Sequence, residues 1–194
     1  MMTEASWWDS TSICSGRVPI TYFWHALAAE APAEQHVTNT VAALMGAIRD
    51  GKSRVWHQFT LATAEGEFRS RLRRALDGHL EPPDEIKRIR QSHPAKLYEI
   101  RWQHIHVVER GANGPGPRHD VSVRLLEGEP ESLTLTAIGL RVHEKTVEDE
   151  SRHTQALQDD EINAACETYW KIMAQHKFVP NRRVSTVDHS DDTV

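Results

Sequence analysis

The chain has 194 residues, a net charge of −5, and 39% hydrophobic side chains that include six Trp. That length suits one domain with trimmings, and that apolar content excludes a wholly disordered chain. The longest apolar runs fall far short of a membrane span, so no membrane partner is expected.

In chain order, residues 1–16 read as an irregular N-terminal extension, and residues 179–194, which include "VSTVDHSDDTV", read as a flexible tail. Between them a single domain is expected over 17–178. A short helix is predicted over "ITYFWHALAAE" and a second over 33–50, where Val37, Val41, Leu44 and Ile48 recur at helical spacing ahead of Gly51. A third helix is predicted from Glu65 to Leu80, with Phe68, Leu72 and Leu76 on one side, Arg69, Arg71, Arg73 and Arg74 around the rest, and Pro82-Pro83 as the stop.

Beyond this point the period changes. "EIKRIRQ" reads as a short strand, and "KLYEIRWQHIHVV" alternates, with Tyr98, Ile100 and Trp102 facing one way and Glu99, Arg101 and Gln103 the other. "GANGPGPRHD" reads as a loop, "VSVRLL" as a strand, "EGEPES" as a turn, and "LTLTAIGLRVHEK" as the longest strand. A last helix is predicted from Asp159 to Ala174, with Ile162, Cys166, Tyr169 and Met173 inward and Ala165 and Ile172 beside them. Short connections between successive strands point to an antiparallel meander. The fold class is therefore α+β: a helical hairpin, a small antiparallel β-meander sheet and a C-terminal helix.

Charge is uneven along the chain. Residues 51–110 carry 12 basic and 8 acidic side chains, while 111–194 carry 9 and 15, so the middle is the basic part. The final strand repeats the contrast on a smaller scale. In "LTLTAIGLRVHEKT" the odd residues share a face, so the apolar Leu133, Leu135, Ala137 and Gly139 run into Arg141, His143 and Lys145. Ile138, Leu140 and Val142 would then cover the opposite face. With Arg101 and Arg124 on neighbouring strands, these side chains make a candidate site for an anion, above all phosphate. The competing reading is that each cation sits at a fraying strand end, paired with Glu99 or Glu144.

The order "PPDEIKRIR … KLYEIRW … VRLL … LTAIGLRVHEKT … DDEINAACETYWK" resembles the RelE/HigB superfamily of bacterial type II toxins, as does the early segment "VPITYFWHALAAEAPAEQHVTNTVAALMGAIRDGK". The likeness spans residues 17–175, rests on short, degenerate motifs, and treats the basic helix near 63–80 as an insertion. It implies a toxin-antitoxin system toxin: a metal-independent endoribonuclease acting on mRNA on the ribosome and neutralised by an antitoxin protein. It implies Arg101, Arg124, His143 and Lys145 as catalytic, with histidine suited to either proton role near neutral pH. Lys87, Arg88, Arg90, Tyr98 and His104 are the candidate RNA-binding residues, although the parity of Tyr98 with Ile100 also fits core packing. Family toxins are shorter and strongly basic, which this chain is not. A catalytically inactive binding protein on the same scaffold is the alternative.

Other motifs carry less. The two cysteines, Cys14 and Cys166, are too few and too far apart for a disulfide framework or a cysteine metal site, and read as plain thiols, Cys166 in a core. His104 and His106 share a strand face at a spacing able to chelate, but no third ligand has a clear claim, so neither metal nor cofactor is expected. The start "MMTEASWWDSTSICSG" lacks the basic and apolar stretches of a secretory signal, which points to the cytoplasm.

Overall fold

The computed structural model describes residues 11–112, 114–145 and 152–175, with the side chains of the last segment from residue 157 onward. The expected tail over 179–194 and most of the expected N-terminal extension lie outside the described residues. The chain is α+β, and after a short 3-10 turn at Ile13–Ser15 comes a strand, β1 (Thr21–Trp24). A helix was the expectation there. Thr-Tyr-Phe-Trp is a β-branched and aromatic run, and a short apolar stretch of this kind does not separate helix from strand by period alone. Tyr22 and Trp24 are buried on one side of β1, while Phe23 packs against the cluster on the other.

Two helices follow: α1 (Ala33–Arg49) and α2 (Gln58–Leu76). On α1, Val37, Val41, Leu44 and Ile48 are all buried, as their spacing requires, and Gly51 takes the left-handed φ of +68° that ends a helix. Helix α2 begins seven residues before the expected Glu65, held by a capping box in which the His57 amide donates to Thr60 Oγ1 (3.2 Å). Its first turn carried no apolar stripe to read, because Phe59 there is exposed. The helix stops at Leu76 rather than Leu80, two residues before Gly78 at φ +72°. The basic segment near 63–80 falls largely on α2, and its Phe68 and Leu72 share one core cluster with the α1 stripe.

The remaining strands are β2 (Ile86–Arg88), β3 (Leu97–Gly111), β4 (Gly114–Gly128) and β5 (Thr136–Lys145), followed by α3 (Arg152–Ala174). The sheet order is β1-β5-β4-β3-β2. β2 to β5 form the expected antiparallel meander, and β1 adds to β5 in parallel, which makes the sheet mixed. "GANGPGPRHD" is mostly strand, since Arg118, His119 and Asp120 pair with Val108, Val107 and His106. The prolines that suggested a loop fall on the part of β4 before Ser122, the last residue that β5 pairs among the described residues, where β3 is the strand that pairs with it. β5 is shorter than β3 and β4, because Leu135 has a φ of +47° and cannot extend the strand.

Helices α1 and α2 cover one sheet face. The other face carries α3, which buries Ala165, Tyr169 and Ile172 against Leu97, Leu126, Ile138 and Leu140. These three, more than the predicted Ile162, Cys166 and Met173, form its innermost line. Among the described residues α3 is the helix that covers this face, at one end of a sheet whose middle strands run 15 residues.

Gly139 admits β1, since a Cβ there would strike the Tyr22 hydroxyl and the Trp24 ring. Gly139→Ala should lower unfolding free energy by about 1–3 kcal/mol in urea denaturation. Gly66→Ala, in the exposed interior of α2 with nothing within 4 Å of the added carbon, should raise it by about 0.4–1 kcal/mol.

Candidate functional site

The pairing of β4 with β5 slips by one residue between Leu126, opposite Arg141, and Glu127, opposite Gly139. Leu140 is the extra residue, and a bulge of this kind reverses the facing of everything beyond it. Before it, Ala137 and Gly139 face α1 and α2, while Ile138 and Leu140 face α3. Beyond it Val142 packs on the α1–α2 side, so Arg141, His143 and Lys145 fall on the α3 side. The predicted unbroken odd-numbered face over 133–145 is therefore wrong, although its three cations do share a side.

The register then brings the predicted residues together. Arg101 on β3 lies opposite Arg124 on β4, which lies opposite His143 on β5, with Lys145 opposite Ser122. Arg101, Arg124, His143 and Lys145 line one cleft of about 670 Å³, together with Lys87 and Arg90 at its β2 end and Gln158 and Ile162 of α3 on its wall. Among the described residues that line the cleft, Glu99 is the single carboxylate. It accepts from Arg101 Nε at 2.8 Å and from Arg101 Nη2, and it lies 3.5 Å from Arg124 Nε.

Arg124 is 6% exposed, and its Nη1 finds no hydrogen-bond partner among the described residues. Burial pulls the affinity of its guanidinium for a proton down, Glu99 opposes this and Arg101 adds to it. Arginine stays charged through such shifts, so Arg124 presents a buried cation with a donor to spare. His143 Nδ1 is likewise buried and unpartnered. Burial holds this imidazole below the usual histidine range, against the pull of Glu161 and Glu99 and with help from Arg124 and Arg141. The ring is therefore neutral at neutral pH and able to accept a proton.

Other predicted residues have different places. Tyr98 is 2% exposed in the core, which excludes it from base stacking. Arg88 belongs to the cleft wall, but its guanidinium lies 5.0 Å over the Tyr98 ring and donates to the Ala95 carbonyl at 3.3 Å. His104 stands outside the cleft, beside a second hollow of about 410 Å³ that Glu67, Asp84 and Glu85 make unsuited to an anion. His104 and His106 both turn Nδ1 to Asp120, the former at 3.2 Å, so the carboxylate that the sequence left unassigned comes from the opposite strand. Arg141 points to Glu161 and fastens α3 to the sheet.

Arg54 carries no motif, and sequence reading missed it. Its guanidinium, 5% exposed, makes a two-pronged contact with Glu144 at 2.7 and 2.8 Å, reaches Glu109 at 3.1 Å and donates to the Ile48 carbonyl at 2.8 Å. Glu144 is thus held from the α1–α2 side, which fixes the end of β5 between His143 and Lys145. Replacing Arg54 with Met would leave the largely buried Glu144 with Lys52 at 3.9 Å as its remaining cation and should cost about 3 kcal/mol in chemical denaturation. The pair Arg54→Met with Glu144→Leu should recover part of that loss. No protein-family model, no curated protein and no solved structure matches the chain.

Proposed function

We propose that this chain is a toxin-type endoribonuclease of the RelE/HigB kind, acting on mRNA at the ribosome in the cytoplasm and held silent by an antitoxin protein. The observation that carries the reading is the three-strand row Arg101, Arg124, His143, flanked by Lys145, around a cleft on the α3 side of the sheet. Among the described lining residues positive groups outnumber the one carboxylate, and guanidinium forks match phosphate oxygens.

The chemistry follows from the placement. A phosphodiester seats against Arg124 and Arg101, with Lys87 and Arg90 on the neighbouring backbone. Neutral His143 takes the proton of a ribose 2′-hydroxyl as its oxygen attacks phosphorus. Arg124 and Arg101 carry the charge that grows on the phosphorane, in a site shielded on one side by α3. The bond from phosphorus to the 5′ oxygen then breaks, the Lys145 ammonium protonates that oxygen, and a 2′,3′-cyclic phosphate is left on the upstream fragment.

One observation favours the alternative, a non-catalytic partner-binding protein on the same scaffold. Glu99 already contacts both arginines, so a phosphate must displace it. Induction in a bacterial host separates the two. The enzyme reading predicts growth arrest and cleavage of ribosome-bound mRNA, with losses of about 10²–10³ in rate for Arg124→Ala and about 10²–10⁴ for His143→Gln. Full growth with intact mRNA would remove it.

The pH profile adds an independent check. A base whose proton affinity is lowered stays unprotonated further into acid, so the rate should hold flat through neutral pH. It should decline only as pH falls below the ordinary histidine value of about 6.5, measured with a defined oligonucleotide. A decline setting in above that value would assign the base elsewhere.

A further inference from the structure

On the opposite face of the sheet, away from the cleft, the turn Ile13–Ser15 packs against the end of β4. There the Cys14 sulfur and one carboxylate oxygen each from Glu127 and Glu129 all lie within 4.8 Å of one another. Cys14 is 1% exposed, Glu127 0% and Glu129 7%. Burying one carboxylate is costly, and burying two side by side adds repulsion. The partners on hand do not settle the cost. Glu129 Oε1 receives the Ser12 hydroxyl at 2.5 Å and the Ile13 amide at 3.0 Å. Glu127 has the Cys14 thiol, at 3.9 Å from Oε1, and a proton to share with Glu129 while one of the two is neutral; as a carboxylate, its fully buried Oε2 has no hydrogen-bond partner among the described residues. Nearly every buried polar atom in a folded protein has a partner, so this orphaned oxygen calls for one.

We propose that Cys14, Glu127 and Glu129 form a structural site for a divalent ion of the zinc class. Zinc accepts thiolate and carboxylate ligands together, at bond lengths of about 2.0–2.3 Å, and ligand atoms around such an ion sit about 3.5 Å apart. The 3.9 Å from sulfur to Glu127 Oε1 needs only a small contraction. A thiolate in the set favours a borderline ion such as zinc over magnesium or calcium, which take oxygen ligands. Charge closes as well. The three anionic ligands are met by the divalent ion and by the Arg88 guanidinium, which acts on both carboxylates from nearby without bonding either. Without an ion, burial and mutual repulsion drive both carboxyls and the thiol toward their protonated forms. Binding would release those protons.

The site joins positions more than a hundred residues apart. It would staple the N-terminal segment to the sheet, and the hydrogen bonds from Ser12 and Ile13 already aim Glu129. It does not depend on the nuclease reading, because it lies on the α1–α2 face and its readout is spectroscopic.

The test uses the full chain, stripped with a chelator and titrated with Co²⁺ in place of zinc. The expected result is one equivalent bound, with a sulfur-to-cobalt charge-transfer band in the near ultraviolet, displaced by Zn²⁺ and untouched by Mg²⁺. Cys14→Ser should abolish that band, and Glu127→Gln should weaken binding by about tenfold or more. Both changes are near-isosteric, and circular dichroism reports whether each variant folds. Zn²⁺ should also raise the thermal midpoint of the parent and leave that of Cys14→Ser in place. His106→Ala removes the competing His104–His106–Asp120 cluster and should leave the band intact. Absence of the band in the folded parent, its survival in Cys14→Ser, or its loss in His106→Ala would overturn the proposal.

Discussion

The candidate site exists because β5 contains one residue more than its pairing with β4 requires. Between Gly139 and Arg141 the strand spends two residues where β4 spends one, and the pleat changes sides. Without Leu140 as the extra residue, Arg141, His143 and Lys145 would point into the space filled by α1 and α2. Three polar heads there would meet the cluster holding Leu44, Ile48 and Phe68. With it, they stand beside Arg124 and Arg101 on the α3 side of the sheet. The same bulge puts Val142 and Glu144 on the helix side, where the first packs into the core and the second meets Arg54.

Gathering cations on one side of a sheet costs electrostatic energy, and the molecule offsets it in two ways. Glu99 lies between the two arginines and relieves their repulsion, while Glu161 takes Arg141 out of the group and uses it to hold α3. What remains is a cleft with an unpartnered guanidinium nitrogen and an unpartnered imidazole nitrogen, both buried. Buried polar atoms of this kind are rare in folded proteins and mark places where a ligand can supply the missing partner.

The two faces of the sheet divide the work. The α1–α2 face holds the larger core, with Phe68 edge-on to Trp102 at 5.4 Å, and it also holds the Cys14–Glu127–Glu129 group. The α3 face holds a smaller core at one end and the cationic cleft beside it. A rigid, well-packed first face is what allows unpaired charge to be kept in fixed positions on the second.

By itself the sequence determined the α+β class, helix α1 with its stripe, the antiparallel order of β2 to β5, and the basic side chains and histidine that line the cleft, though it also named Tyr98 and His104, which do not. Those features rest on local periods, which repeat every two or 3.6 residues and can be read from neighbours in the chain. Strand β1 was not legible, because four residues carry too short a period and its partner lies over a hundred positions away. Nor was the bulge at Leu140, which only a register against β4 defines, or Arg54, whose partners are chosen by folding; Glu99 was legible only as one possible partner of the cations. The facing of His143 toward Arg124 was decided by tertiary structure alone. A pleat fixes which residues alternate, and only pairing to another strand fixes where the alternation breaks.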